Sequence, residues 1–277
     1  GLGDSISALV YLLIATVINI ALDIFFVAVV QMGVAGVALA TVIAQLISGI
    51  CCIIYLIKKH PRLHVKKTHF ITDLAMDKHL LKIGIPMAFL DMVLSIGSVI
   101  VQFVTNGFGD SYVAAQVTGG KIDNFIVQPL IAYGSAVAVF TAQNHGAGNY
   151  KRVLEGSKKT LMICIVWCVL AAAIILPFGK TFITLIAGND VTESVINDAY
   201  RYVVINTAFT FIVAALIVYK SVLQAVNRTT WSMISGFTEI LGRGGVAILV
   251  VFLTEHALVS ESLGFSIVCL ANPMAWL

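Results

Sequence analysis

Asp23 is a carboxylate inside NIALDIFF, within an apolar run from about Ala8 to Val30 that holds no basic residue nearby. Placing an acid at the centre of a membrane helix costs roughly 2.5–3.5 kcal/mol. Asn19 stands four residues before it, on the same face of a helix. The next apolar run opens after Gln31-Met32-Gly33. Counting from Met32, Thr41 lies nine residues into it, as deep as Asp23 lies in the first run. Gln45 then matches Asn19, four residues deeper on each side. The expected arrangement is a two-layer polar ladder, Asp23 with Thr41 and Asn19 with Gln45, on adjacent antiparallel helices. Neutral side chains alone suffice to join two helices, so the carboxylate needs another reason. Oxygen ligands suit a hard cation such as Na⁺, and a buried carboxylate can equally take a proton.

Other polar residues also stand in apolar surroundings. Asp91, in GIPMAFLDMVLSIG, has no cation three or four positions away and must be buried in protein or face water. A packing acid bonded to backbone or hydroxyls is the alternative. Lys121 and Asp123, in GGKIDNFIVQP, are two apart and lie on different helix faces. Lys121 therefore faces a cavity or pairs with an acid on another helix. Glu239 and Arg243 are four apart with the acid first, the favourable order for a pair within one helix. Lys220, within two turns of the end of its run, can snorkel to the interface. Pro86, Pro129 and Pro177 remove backbone donors within or near helices. Pro129, with Gln128 before it and Tyr133 after, is a candidate hinge or cavity wall. His60, His64, His69 and His79 share one connection, which reads as a wet interfacial loop rather than a metal site. Cys51, Cys52, Cys164, Cys168 and Cys269 all lie in apolar runs. They lack metal-site partners and read as small core residues.

These residues need helices long enough to carry them across a bilayer. The chain has 277 residues, of which 59% are hydrophobic and only 11% charged, with a mean hydropathy of +0.98. Soluble domains carry about 25% charged residues. Eight runs can be drawn: about 7–30, 33–57, 82–106, 112–142, 157–179, 195–226, 230–254 and 262 to the end. Each approaches the ~20 residues that span a hydrocarbon core. The fold class is thus all-α integral membrane, a polytopic bundle of about eight transmembrane helices. Residues 58–81 form the one long connection, basic at its start and amphipathic after Phe70 and Ile71, which suits a linker on the membrane surface.

Lys and Arg cluster in alternate connections: Lys58 to Lys78, then Lys151, Arg152, Lys158 and Lys159, then Arg228. QMG, NGFGDS, AGNDVTES and TEHALVSES carry none. The basic side is expected to be cytoplasmic. A weak internal echo joins GLGDSISAL to QAVNRTTWS and GVAGVALA to LGFSIVCLA, as in bundles that flank a central path. No signal peptide is visible. The chain starts without methionine and stops at AWL inside an apolar run, so it reads as a piece of a longer protein.

Taken in order, GLGDS, NIALD, GVAGVALATVIAQ, GIP, KIDNFIVQP and FTAQNHGAGNYKR resemble the multidrug and toxic compound extrusion (MATE) family over essentially the whole chain. The resemblance implies twelve helices in two lobes, of which this chain holds the fifth to part of the twelfth. Residues 1–57 would be the last two helices of the N-terminal lobe, 58–81 the cytoplasmic linker and 82–277 the C-terminal lobe. It further implies a rocking antiporter that exports amphipathic, often cationic, small molecules in exchange for Na⁺ or H⁺, without a cofactor. Asn19, Asp23 and Thr41 match in type and spacing the family's N-lobe cation ligands on the fifth and sixth helices. In the C-terminal lobe the seventh-helix acid corresponds to Asp91, and Val213 stands where the tenth-helix acid would be. Asp91, Gln102, Lys121, Gln128 and Tyr133 are then expected to face the cavity between lobes and tune substrate choice. A monomer in the lipid bilayer of a bacterial inner (plasma) membrane is expected, with no nucleic-acid partner.

Three alternatives compete. A lipid-linked oligosaccharide flippase of the same superfamily should show a larger cationic cavity than Lys121 and Arg243 offer. A membrane enzyme would need paired carboxylates with a metal, a Ser–His pair or a phosphate loop, and the sequence supplies none. A fragment lacking half of one lobe could not transport alone.

Overall fold

The computed structural model describes residues 5–59, 73–188 and 191–277. α1 spans Ser5–Ile24 and continues into a π-helical turn, Phe25–Val29, before α2, Val34–Lys59. Then follow α3 (Leu74–Asn106), α4 (Asp110–Gly146), α5 (Tyr150–Ala187), α6 (Glu193–Ala225), α7 (Thr229–Glu255), α8 (Glu261–Cys269) and α9 (Ala271–Trp276). Among the described residues no strand occurs, and seven helical stretches are long and apolar enough to cross a bilayer. The all-α membrane bundle is borne out.

Two boundaries differ from expectation. The eighth run is not one helix: it breaks at Leu270 into α8 and α9. Pro273 has no N–H to offer the carbonyl of Cys269, so the α-helical ladder cannot run through it. The Leu270 N–H turns instead to Ile267 O at 3.0 Å. At the other boundary, Leu74, Leu80 and Leu81 belong to α3, which opens eight residues before the expected span. No Gly or Pro stands between Asp73 and Lys82, and Asp77 lies in the first turn, where a carboxylate complements the helix dipole. Residues 60–72, with His60, His64 and His69, lie outside the described residues.

The chain divides into two compact units between Leu74 and Ala75. The first is the α1–α2 hairpin. Its turn uses left-handed backbone at Gln31 (φ 58°) and Gly33 (φ 57°). Close approach depends on Gly36, where a Cβ would lie 2.9 Å from that of Phe26 and 3.0 Å from that of Met32. Farther along, Ser48 Oγ donates to Tyr11 O at 3.2 Å, and the Tyr11 and Tyr55 rings meet edge to face.

In the second unit α6 is the central helix. Its buried Val195, Ala199, Tyr202 and Val203 pack with α4, α5 and α8, and its Val213, Ala214 and Val218 with α4 and α5. α3 and α7 meet through Val101, Val104, Val246, Ala247 and Val250. Cys164, Cys168 and Cys269 are buried, as expected of core residues, while Cys51 and Cys52 are half-buried; all five are free thiols. Hydroxyls within the spans bond back to the carbonyl four residues earlier, as at Ser95, Thr105, Ser157 and Thr210. Each of these donors is thereby paired in an apolar medium, whereas the buried Thr141 and Thr207 hydroxyls have no partner among the described residues.

Candidate functional site

α1 and α2 hold the first set of polar groups. Asn19 Nδ2 donates to Thr41 Oγ1 at 3.4 Å, and Thr41 Oγ1 donates to Val37 O at 2.9 Å. The Thr41 proton is thus committed, and its oxygen is left as an acceptor with one lone pair to spare. Asp23 lies one turn nearer the hairpin, two residues before the π-helical turn. Its Oδ1 is buried and has no hydrogen-bond partner among the described residues. Asn19, Asp23 and Thr41 are all half-buried, and Gln45 is exposed.

The layering therefore differs from the ladder expected from counting. Thr41 faces Asn19 rather than Asp23, and Gln45 is not its partner. The physical reason is the connection. A π-helical turn closes i→i+5 bonds, seen in the 3.1 Å bond from Val30 N–H to Phe25 O. With the irregular residues that follow, it takes up about one helical turn of chain on the α1 side alone. Counting outward from Met32 assumed a symmetric hairpin. The outcome still leaves a carboxylate oxygen, an amide oxygen and a hydroxyl oxygen within two adjacent turns, which is hard-cation chemistry.

In the second unit, Lys121 and Gln128 are both exposed and line one cavity of about 470 Å³, together with Asn124 and Pro129. They are seven residues apart on α4, two turns along one face. Tyr133 is exposed but does not line that cavity. On α3, Asp91 is exposed and Gln102 half-buried, with Gln102 Nε2 donating to Asn106 Oδ1 at 2.9 Å. Eleven residues separate them, three turns on the same face. Val213 is packed in the core against α4 and α5.

The ion pairs depart from the sequence reading. Lys220 does not snorkel: its Nζ donates to Glu239 Oε1 at 2.7 Å, with both side chains largely buried. The pair expected within α7 is looser, Arg243 Nη2 standing 4.0 Å from Glu239 Oε2. Arg243 Nε instead reaches Asn272 Oδ1 at 3.3 Å, and Asn272 Nδ2 donates to the Tyr202 hydroxyl at 3.4 Å. Asp123, on the face opposite Lys121, buries an Oδ1 that has no hydrogen-bond partner among the described residues. An uncompensated lysine seven residues before the Asn227 turn was the available signal for the α6–α7 bridge. Helix rotation, which the sequence does not state, selected its partner. Among the described residues no group of three His, Cys, Asp or Glu side chains forms a metal site.

Comparison with known proteins agrees with this architecture. The protein-family model MatE matches residues 86–243, more than half of the chain. "Probable multidrug resistance protein YpnP" of Bacillus subtilis is 34% identical over 153 residues, covering 55% of this chain and 34% of that protein. "Probable multidrug resistance protein YoeA" of the same organism is 25% identical over 95% of this chain and 57% of its own length. A MOP superfamily transporter from Pyrococcus furiosus, described as having a binding pocket of reversed polarity that suggests a different function, superposes with a TM-score of 0.85 at 19% identity. That match covers 99% of this chain and 61% of the other, so the chain spans no more than about three fifths of the proteins it matches. Members of the family are transporters, not enzymes. The seven apolar spans and the bacterial relatives make this a multi-pass protein of a bacterial plasma membrane. With the helical order, the buried polar groups and the family match in agreement, this chain belongs to the MatE family.

Proposed function

We propose that this chain works within a two-lobed, cation-coupled exporter of amphipathic, often cationic, small molecules. Residues 1–57 supply the last two helices of one lobe, 58–81 the cytoplasmic connection and 82–277 the other lobe. The transporter acts as a monomer by exchange of Na⁺ or H⁺, with no cofactor. The observation that carries this reading is the partnerless Oδ1 of Asp23 beside Asn19 and Thr41. A carboxylate oxygen that is buried and left without a hydrogen bond is costly, and uptake of an ion or a proton relieves that cost. One elementary charge moving through 100 mV releases about 2.3 kcal/mol, enough for roughly 50-fold accumulation of substrate at 1.36 kcal/mol per decade. Lys121 and Gln128 on one cavity wall, with Asp91 and Gln102 on one face of α3, are the proposed substrate contacts.

The test is efflux from vesicles carrying the intact transporter, under separate Na⁺ and pH gradients. Asp23→Asn should insert and fold yet lose gradient-driven efflux. Wild-type efflux with unchanged ion dependence would make the carboxylate structural.

A further inference from the structure

A cavity of about 650 Å³ lies between α4 and α5 at their basic end, away from the groups assigned to ion and substrate. Its α5 wall is one helix face made of two adjoining rows at three- and four-residue steps, Arg152, Glu155, Lys159 and Ile163 beside Gly156 and Thr160. Phe140 of α4 closes the other side, its ring centre 5.9 Å from the Arg152 guanidinium carbon. Gly156 lets that ring lie directly on the α5 backbone, where any Cβ would clash with it. Among the described residues neither Arg152 nor Lys159 is ion-paired, although Glu155 stands between them.

The outer surface of α5 changes character at this level. Lys151, Arg152, Glu155, Lys158 and Lys159 are exposed before it. Beyond Thr160 the exposed residues are apolar, beginning with Met162, Ile163, Ile165, Val166, Val169 and Leu170, and no charge appears until Lys180. That profile marks the boundary between lipid headgroups and acyl chains. The cavity straddles it, with charged groups on one side and Phe140 and Ile163 on the other.

We propose that this cavity binds an anionic glycerophospholipid of the adjoining leaflet. Arg152 and Lys159 hold its phosphate, Thr160 offers a hydroxyl donor, and an acyl chain runs along Phe140 and Ile163. Two cations against one carboxylate give the wall a net positive charge, which Lys151 and Lys158 reinforce from the neighbouring face. A zwitterionic lipid brings its own ammonium to that wall and gains less. A cationic amphiphile is repelled, which separates this site from the proposed export path.

The test is native mass spectrometry of the detergent-purified protein, titrated with phosphatidylglycerol or phosphatidylcholine of matched chains. The wild type should retain phosphatidylglycerol by roughly tenfold or more, given the strength of lysine and arginine attraction to anionic lipid. Arg152→Gln with Lys159→Gln should bring the two lipids to about equal retention. Lys151→Gln with Lys158→Gln removes the same charge from another face of α5 and should keep most of the preference. Circular dichroism checks that both double variants fold, as expected for exposed side chains. Equal loss in both would assign the effect to diffuse surface charge and overturn the site. So would a wild type without preference, or displacement of the lipid by millimolar inorganic phosphate alone. None of these readouts depends on transport.

Discussion

Lys220 of α6 donates to Glu239 of α7 at 2.7 Å, and the side chains keep only 15% and 5% of their exposure. Arg243 approaches the other carboxylate oxygen at 4.0 Å. One buried acid therefore serves two cations and ties two spans together.

Removing that acid leaves both cations without a counter-charge. Breaking a buried pair from one side costs about 3–5 kcal/mol. Glu239→Gln should lower stability by an amount of that order, and Lys220→Met by less, because Arg243 still neutralises Glu239. Unfolding in detergent micelles measures the order of the two. Equal losses would show that Arg243 contributes nothing to the balance.

The Asn19–Thr41 contact makes a graded prediction about ion dependence. Hydrogen bonds between membrane helices average about 0.6 kcal/mol, close to a threefold change in an equilibrium constant. Thr41→Val should raise the ion concentration needed for half-maximal efflux by roughly that factor or more, and Thr41→Ser should restore it. The measurement is initial efflux rate against Na⁺ or proton concentration. A Thr41→Val profile identical to wild type would remove Thr41 from the ion site.

Gly119 and Gly120 are neighbours with opposite expectations. A Cβ on Gly119 would stand 2.7 Å from Tyr202 Cδ1 and 3.2 Å from Ala199 O, whereas one on Gly120 meets nothing within 4 Å. Gly119→Ala should destabilise by about 1–3 kcal/mol through overpacking of α4 against α6. Gly120→Ala should be neutral or gain up to about 1 kcal/mol of helix propensity. Thermal unfolding of the two variants side by side decides it, and equal effects would contradict the α4–α6 contact.

Asp91 and Lys121 are both exposed, so replacing them should leave stability within about 0.5 kcal/mol. The double variant Asp91→Asn, Lys121→Gln should nevertheless change which compounds are exported, as read from a panel of cationic and neutral substrates. An unchanged profile would place both residues outside the substrate path.

The spans and the chemistry-bearing residues were legible from sequence because transfer into a bilayer is local and additive. A run of about twenty apolar residues crosses wherever it packs, and a carboxylate such as Asp23 stands out against it without any knowledge of neighbours. The family motifs around Asn19, Asp23 and Thr41 pointed to the same residues. Helix ends were less legible. α3 opened early because no Gly or Pro stands between Asp73 and Lys82, and the last run broke because Pro273 could not donate to Cys269.

Pairing was decided only by tertiary structure. The sequence put a carboxylate, an amide and a hydroxyl on two facing helices, and a π-helical turn of five residues set which of them met: Asn19 with Thr41, leaving Asp23 Oδ1 without a hydrogen bond among the described residues. It likewise placed Lys220 where an apolar run ends, but the rotation of α6 against α7 turned the ammonium inward to Glu239 instead of outward to the interface. Hydropathy is a sum over residues and survives any rotation of a helix about its axis. A hydrogen bond fails when two atoms separate by another ångström, so axial register and rotation, set by turns and by close-packed small residues, choose the partners.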